Sequence, residues 1–296
     1  MANVTTIYAC TEDGLAIFNK PGTLNEWLPP RLVLGGMPVL SVWAEAGPPV
    51  RVVALQDCNL LVSENGGRAW EKIDTEHPAV ALFPGETERK IYAALGGGLL
   101  SSDDAGSSWR KLASVPSDTR GIIMVGGVFY LTAGMRPEWE SGALYSGEPE
   151  KGTWRILING GIRAVSYNEG AGRLYASTAD GITESADAGE TWTTLPGSPT
   201  DGVELLAVPG AAGKPPALVV GTSGGISVSP DGGESWQQKD VGGRVTALAR
   251  DPERRDRLYA GTHEGYIFES GNRGQAWTPV NAAPLPHVIS LFLVRI

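Results

Sequence analysis

A chain of 296 residues with a formal net charge of −9 is long enough for one large core. Taken whole, it is too acidic for nucleic acid to be the main partner, because neutralising phosphates needs clustered Lys and Arg. No apolar run is long enough to span a bilayer as a helix, and two cysteines, Cys10 and Cys58, are too few for a disulfide framework or a thiolate zinc site.

Strand-like sequence begins almost at once, with Ile7-Tyr8-Ala9-Cys10. No basic-then-apolar leader precedes it, so the cytoplasm is the expected compartment. From there one turn pattern, Ser-x-Asp-x-Gly-x-(Ser/Thr)-Trp, is written repeatedly. An eroded copy keeps Asn19, Gly22 and Trp27. A softened copy runs Ser63-Glu64-Asn65-Gly66-Gly67-Arg68-Ala69-Trp70. Ser102-Asp103-Asp104-Ala105-Gly106-Ser107-Ser108-Trp109 follows intact, and a copy stretched by one residue runs from Ser146 through Gly152-Thr153 to Trp154. Intact copies return at Ser185–Trp192, with Asp187, and at Ser229–Trp236, with Asp231. Ser270–Trp277 is softened again, with Asn272 and Ala276. Short oxygen-bearing side chains can bond nearby backbone N–H groups, glycine allows positive φ, and tryptophan brings a large ring to bury.

The final tryptophans, Trp27, Trp70, Trp109, Trp154, Trp192, Trp236 and Trp277, are spaced 38 to 45 residues apart. A period of that length with several strands per unit is the mark of a propeller blade. The last unit shows the order best. Val245–Ala249 is an innermost strand, Arg257–Thr262 the second, Tyr266–Ser270 the third and Trp277–Val280 the outer edge, where proline costs no ladder bond. Second-strand copies include Ile91–Ala94, Leu174–Ser177 and Leu218–Gly221. The first unit lacks its innermost strand, and Val288–Val294 is an orphan at the other end. We therefore expect an all-β domain over residues 1–296: seven blades of four antiparallel strands, with the C-terminal strand completing the N-terminal blade. Trp43, in an innermost strand, is expected in the core. Cys10 and Cys58 fall at different heights on neighbouring blades and are expected to stay free. The charged run Asp251–Arg257 reads as a solvated turn, because its arginines are interleaved with acids.

The repeated turn resembles the Asp-box, or bacterial neuraminidase repeat, of sialidases, sortilin-type receptors and photosystem II assembly factors. That resemblance implies that the boxes lie on one face and hold turns, so Asp104, Asp187, Asp231 and the tryptophans Trp70, Trp109, Trp192, Trp236 and Trp277 are structural. It implies a ligand on the opposite face. That face would carry Glu12, Asp13, Asp57, Asp180, His263 and Glu264, with His77 and His287 at blade junctions. The longest turn there, Ala133–Gly142, holds Arg136, Glu138, Trp139 and Glu140. Exposed Trp and Arg are good binding anchors, and loops on rigid scaffolds carry function. Aligning the repeats puts Arg163, Glu204 and Thr246 at one height around the channel, with Arg120 one step earlier, and leaves Arg163 and Glu204 able to pair.

These families share a turn and not a chemistry. A sialidase needs three arginines gripping a carboxylate, and only Pro30-Arg31-Leu32 resembles a first one. No pair of facing acids is singled out for glycoside hydrolysis, and no phosphate loop or dinucleotide fingerprint occurs. The reading is a non-catalytic scaffold that binds a protein or peptide, without cofactor or metal. A glycan-active enzyme or lectin is the alternative. A metal lyase built on His77, His263 and His287 is the weakest.

Overall fold

The computed structural model describes residues 4–47, 50–75, 78–134, 142–210 and 214–295. Its strands form seven four-stranded antiparallel sheets, and the innermost strand of each packs beside that of the next around a closed ring. The helical content among the described residues is a single 3-10 turn at Pro149–Lys151. Second strands such as Ile91–Leu95, Ala217–Thr222 and Leu258–Thr262 are buried at every position. Each is covered on both faces by neighbouring blades, so it reads as a continuous apolar run, not an alternation. Trp43 is buried as expected, and both cysteines are free. The outer strands, such as Thr193–Thr194, Gln237–Lys239 and Thr278–Pro279, are short and polar. That composition keeps an open sheet edge from pairing with another chain.

The orphan strand closes the ring. Val288–Arg295 pairs with Val4–Thr11, from Thr5 opposite Arg295 to Thr11 opposite Val288. At its end Arg295 reaches Asp251 (2.8 Å) and Glu253 (3.1 Å). The Asp251–Arg257 turn is solvated as expected, exposed from Pro252 to Asp256, and its first residue is the exception. Asp251 is fully buried, accepts the backbone N–H groups of Glu253 and Arg254, and anchors the closing strand. A buried carboxylate needs such partners to stay charged.

Five of the seven repeated turns share one hydrogen-bond scheme. In Ser102–Trp109 the Ser102 hydroxyl donates to Asp104 Oδ1 (2.8 Å) and accepts from the Gly106 amide (2.8 Å), and Asp104 Oδ1 accepts from the Ser108 amide (2.8 Å). The intact copies add a bond from the later hydroxyl to the second carboxylate oxygen: Ser108 to Asp104, Thr191 to Asp187 and Ser235 to Asp231. The softened copies replace both ends together, Asn65 with Ala69 and Asn272 with Ala276. An amide nitrogen cannot accept that hydroxyl, so losing the acid removes the reason for keeping the alcohol. Trp109, Trp192 and Trp277 donate Nε1 to the glycine carbonyl of their own turn. The stretched and eroded copies depart from this. Trp154 donates to the Ser114 carbonyl of the preceding blade (2.6 Å), and Trp27 to Glu269 (3.0 Å).

The bonds from Ser108 to Asp104 and from Thr191 to Asp187 pull those carboxyls from 3.8 down to about 2. At Asp231 burial works the other way, and the Ser235 bonds outweigh it to the same value. A carboxylate with a folded pKa below its unfolded one stabilises above the unfolded pKa and loses that contribution as pH falls through the folded one. Part of the fold's stability should therefore vanish between about pH 4 and pH 2. The triple variant Asp104→Asn, Asp187→Asn, Asp231→Asn should melt lower at neutral pH but lose less melting temperature on acidification. Equal acid sensitivity in a thermal denaturation series would show that other groups carry it.

Candidate binding site at the channel mouth

The innermost strands carry a repeated irregularity where they reach the channel mouth. The ladder skips a residue between Val39 and Ser41, Ala79 and Ala81, Thr119 and Gly121, Val245 and Ala247, and between Val288 and Ser290. The skipped residues are Leu40, Val80, Arg120, Thr246 and Ile289. Such a bulge leaves one residue unpaired and re-aims its side chain. In the two remaining blades, Arg163 and Val203 stand at the same level, their amides bonding Ser177 and Gly221 just before the ladder begins.

One residue per blade therefore rings the mouth: Ile289, Leu40, Val80, Arg120, Arg163, Val203 and Thr246. All seven line a cavity of about 730 Å³. This corrects the height assignment made from the repeats. Arg120 shares the level of Arg163 and Thr246, and Glu204 lies one step further along its strand, opposite Gly221. The turns joining first to second strands differ in length, from Val125–Val128 to Val208–Ala217, so spacing along the repeat does not fix the level.

The ring is polarised. Ile289, Leu40 and Val80 make an aliphatic arc on three consecutive blades, extended by Phe83. Arg120 and Arg163 stand on the next two, with Asp118 and Glu204 beside them in the lining. Arg163 donates from Nη1 to the Thr200 carbonyl (2.5 Å). Burial opposes the charge on the neighbouring Asp201, but hydrogen bonds from Ser223 outweigh it and lower its pKa, and Arg163 adds a smaller contribution in the same direction. Asp201 in turn accepts from the amide of Ser223 (3.0 Å) and from its hydroxyl. Asp201 is thus an acid beside Arg163 that sequence reasoning missed. Nothing in the repeat marks Asp201, because it lies in the connection between blades. The Nε of Arg163 is buried without a hydrogen-bond partner.

The rim brings several expected residues together. Turns at Glu12, Asp13, Asp57, Asp180, His263 and Glu264 all join second to third strands on this face. His263 and His287 lie ring to ring, centroids 4.3 Å apart and tilted by 59°. His287 Nδ1 is 2.9 Å from Glu12 Oε1, and His287 lines the cavity. Glu264 lies over the backbone of Gly243. No group of His, Cys, Asp and Glu among the described residues is arranged to hold a metal, and His77 falls outside those residues. So do Arg136, Glu138, Trp139 and Glu140. The segment that carries them joins Val128–Ala133 to Ala143–Glu148, in the same blade as Arg120. The box residues Asp104, Asp187 and Asp231 occupy third-to-fourth-strand turns, at the other end of each blade.

Neither a family model nor a curated protein sequence matches the chain. Many solved structures share its fold. The structure of YCF48 bound to D1 peptide is similar at a TM-score of 0.58 and 16% identity, over 81% of this chain and 80% of that one. YCF48 from Cyanidioschyzon merolae gives 0.59 and 16%, over 84% and 86%. Apo AztD from Citrobacter koseri gives 0.58 and 10%, over 97% and 84%. At these identities the likeness carries the seven-bladed fold alone.

Proposed function

We propose that the chain is an interaction scaffold of the Asp-box propeller type, binding an extended segment of a partner protein across the channel mouth. The observation that carries this reading is the polarised ring. A rigid cavity of about 730 Å³ presents aliphatic side chains on three blades and two arginines on the next two. An extended peptide can set an apolar side chain against Ile289, Leu40 and Val80 while its polar groups meet Arg120 and Arg163. Apolar walls with a few placed polar groups are what small binding sites offer. A propeller of the same fold, YCF48, holds a D1 peptide, which supports a peptide as the kind of ligand. The segment with Arg136 and Trp139 leaves the blade that carries Arg120, and we assign it to the partner contact.

Pull-down against a peptide library tests this. Capture should fall about tenfold or more in Arg163→Ala, as expected for losing a hydrogen bond to a charged group. It should fall likewise in the double variant Arg136→Ala, Trp139→Ala, and stay unchanged in Asp231→Asn at the far end of the blade. Unchanged capture of every partner by the rim variants would remove the site. Hydrolysis of chromogenic glycosides that is lost in Glu204→Gln would replace the scaffold with an enzyme.

A further inference from the structure

Acids at the two ends of the blades stand in different company. At the box-turn end many have basic partners: Glu45 meets Arg89, Glu64 meets Arg51, Asp103 meets Lys90, and Glu190 meets Arg155. The rim of the seventh, first and second blades differs. Asp240, Glu264, Asp13 and Asp57 are exposed there, and among the described residues none of them is paired with a lysine or arginine. Asp13 and Asp240 each accept one backbone amide, from Gly36 (2.6 Å) and Gly242 (2.7 Å), which leaves the carboxylate charge in place. Glu12 joins the group, 2.9 Å from the ring of His287. Arg244 is the base described in this sector.

The aliphatic arc of the channel mouth lies on the same side. Ile289 stands on the first blade, Leu40 on the second and Val80 on the third, whereas Arg120 and Arg163 stand across the ring on the fourth and fifth. Asp118 and Glu204 share the lining with those arginines, and Asp201 feels the charge of Arg163, so the far side does not reverse the sign of the face. Apolar wall and negative rim therefore coincide over the first and second blades. Charges of one sign beside low-dielectric walls reinforce one another's field.

We propose that the segment held at the channel mouth is a basic one. An apolar side chain sits against Ile289, Leu40 and Val80, and lysines or arginines beside it lie over the acids of the seventh, first and second blades. The inference rests on the reading that the mouth binds an extended protein segment, and it adds that segment's charge and its orientation. Acidic flanks would set like charges against this rim, which costs binding. Basic flanks turned the other way would meet Arg120 and Arg163. The anchor thus supplies the contact and the flanks select the partner and steer its approach.

Fluorescence anisotropy with four labelled synthetic peptides tests the proposal: a central leucine flanked by lysines, by serines or by glutamates, and the lysine peptide with serine in place of leucine. The lysine-flanked leucine peptide should bind about tenfold more tightly than the glutamate one, as expected for a few exposed charge pairs. That margin should shrink in about 1 M salt, where charges are screened beyond about 3 Å. The rim variant Asp57→Asn, Asp240→Asn, Glu264→Gln should lose the margin. The box-face variant Glu88→Gln, Glu150→Gln, Glu234→Gln, with the same change in net charge, should keep it. Equal binding of the three leucine peptides, weakened alike by Arg163→Ala, would leave the mouth as the site and overturn the basic partner. A lysine margin that survives in the rim variant, or a leucine-free peptide that binds as well as its parent, would overturn it too. Failure of every peptide to bind would remove this proposal together with the reading it rests on.

Discussion

A chain shortened to end at Pro286 should have no cooperative unfolding transition under conditions where the full chain is folded. The missing strand contributes to three separate core clusters. Val294 belongs to the cluster shared by the first and second blades, Phe292 packs against that cluster and the next, and Val288 and Leu293 belong to the cluster shared with the seventh blade. Three of these side chains, Val288, Leu293 and Val294, are buried, and each is worth about 1.5–3 kcal/mol. Their sum is of the order of the whole net stability of a domain, about 5–15 kcal/mol. The loss also strips the ladder from Val4–Thr11 and leaves the buried Asp251 without Arg295. An unpaired strand rich in buried apolar residues is a template for pairing with other chains, so the product should sediment as oligomers. A synthetic peptide covering residues 286–295 should restore a monomer and its melt. A truncated chain that remains monomeric with an unchanged melting curve would mean that the ring does not depend on its closing strand.

The closure was legible in the sequence because the repeat counts itself. A first unit short of one strand and a last strand without a unit have only each other. Blade number was legible for a related reason: each blade ends on a tryptophan, and a ring that size is hard to erode without trace. The level of the channel residues was not legible. The turns between first and second strands vary in length, from Val125–Val128 to Val208–Ala217, so spacing in the sequence could not fix the register of Arg120 and Glu204. Long-range partners were equally silent. Trp27 bonds Glu269, a residue 242 positions away, and Arg295 seeks Asp251 across the seam. Both look, in sequence, like an eroded motif and a stray terminal charge. The turn chemistry was legible in outline, and hydrogen bonding supplied the reason Asn pairs with Ala where Asp pairs with Ser or Thr.

Gly265→Ala should be the most damaging single substitution in the ring's last turn, and it should damage binding as well. Gly265 sits at φ 85°, in the left-handed region, where a side chain costs about 1–2 kcal/mol. A Cβ there would lie 1.7 Å from the carbonyl oxygen of Leu285 and 2.7 Å from its nitrogen. Those atoms are backbone and cannot swing aside as a side chain would, so overpacking adds about 1–3 kcal/mol. The clash also disturbs the bonds by which Gly265 holds the approach to the closing strand, from the Leu285 amide (2.9 Å) and from Asn281 Nδ2 (3.0 Å) to its carbonyl. At about 3 kcal/mol in total, the melting temperature should fall by roughly 6–12 °C. Gly242→Ala is the matched control. Its φ is 74° but nothing lies within 4 Å of the added methyl, so only the backbone term of about 1–2 kcal/mol remains. The segment displaced by the new methyl at position 265 leads from Leu285, two residues on, to His287. The His287 carbonyl accepts from the Glu12 amide (3.1 Å), and its ring lines the channel mouth. Peptide capture should therefore fall in Gly265→Ala even at temperatures where it is folded, and hold in Gly242→Ala. Equal melting temperatures for the two variants would show that the turn yields where the structure has it rigid.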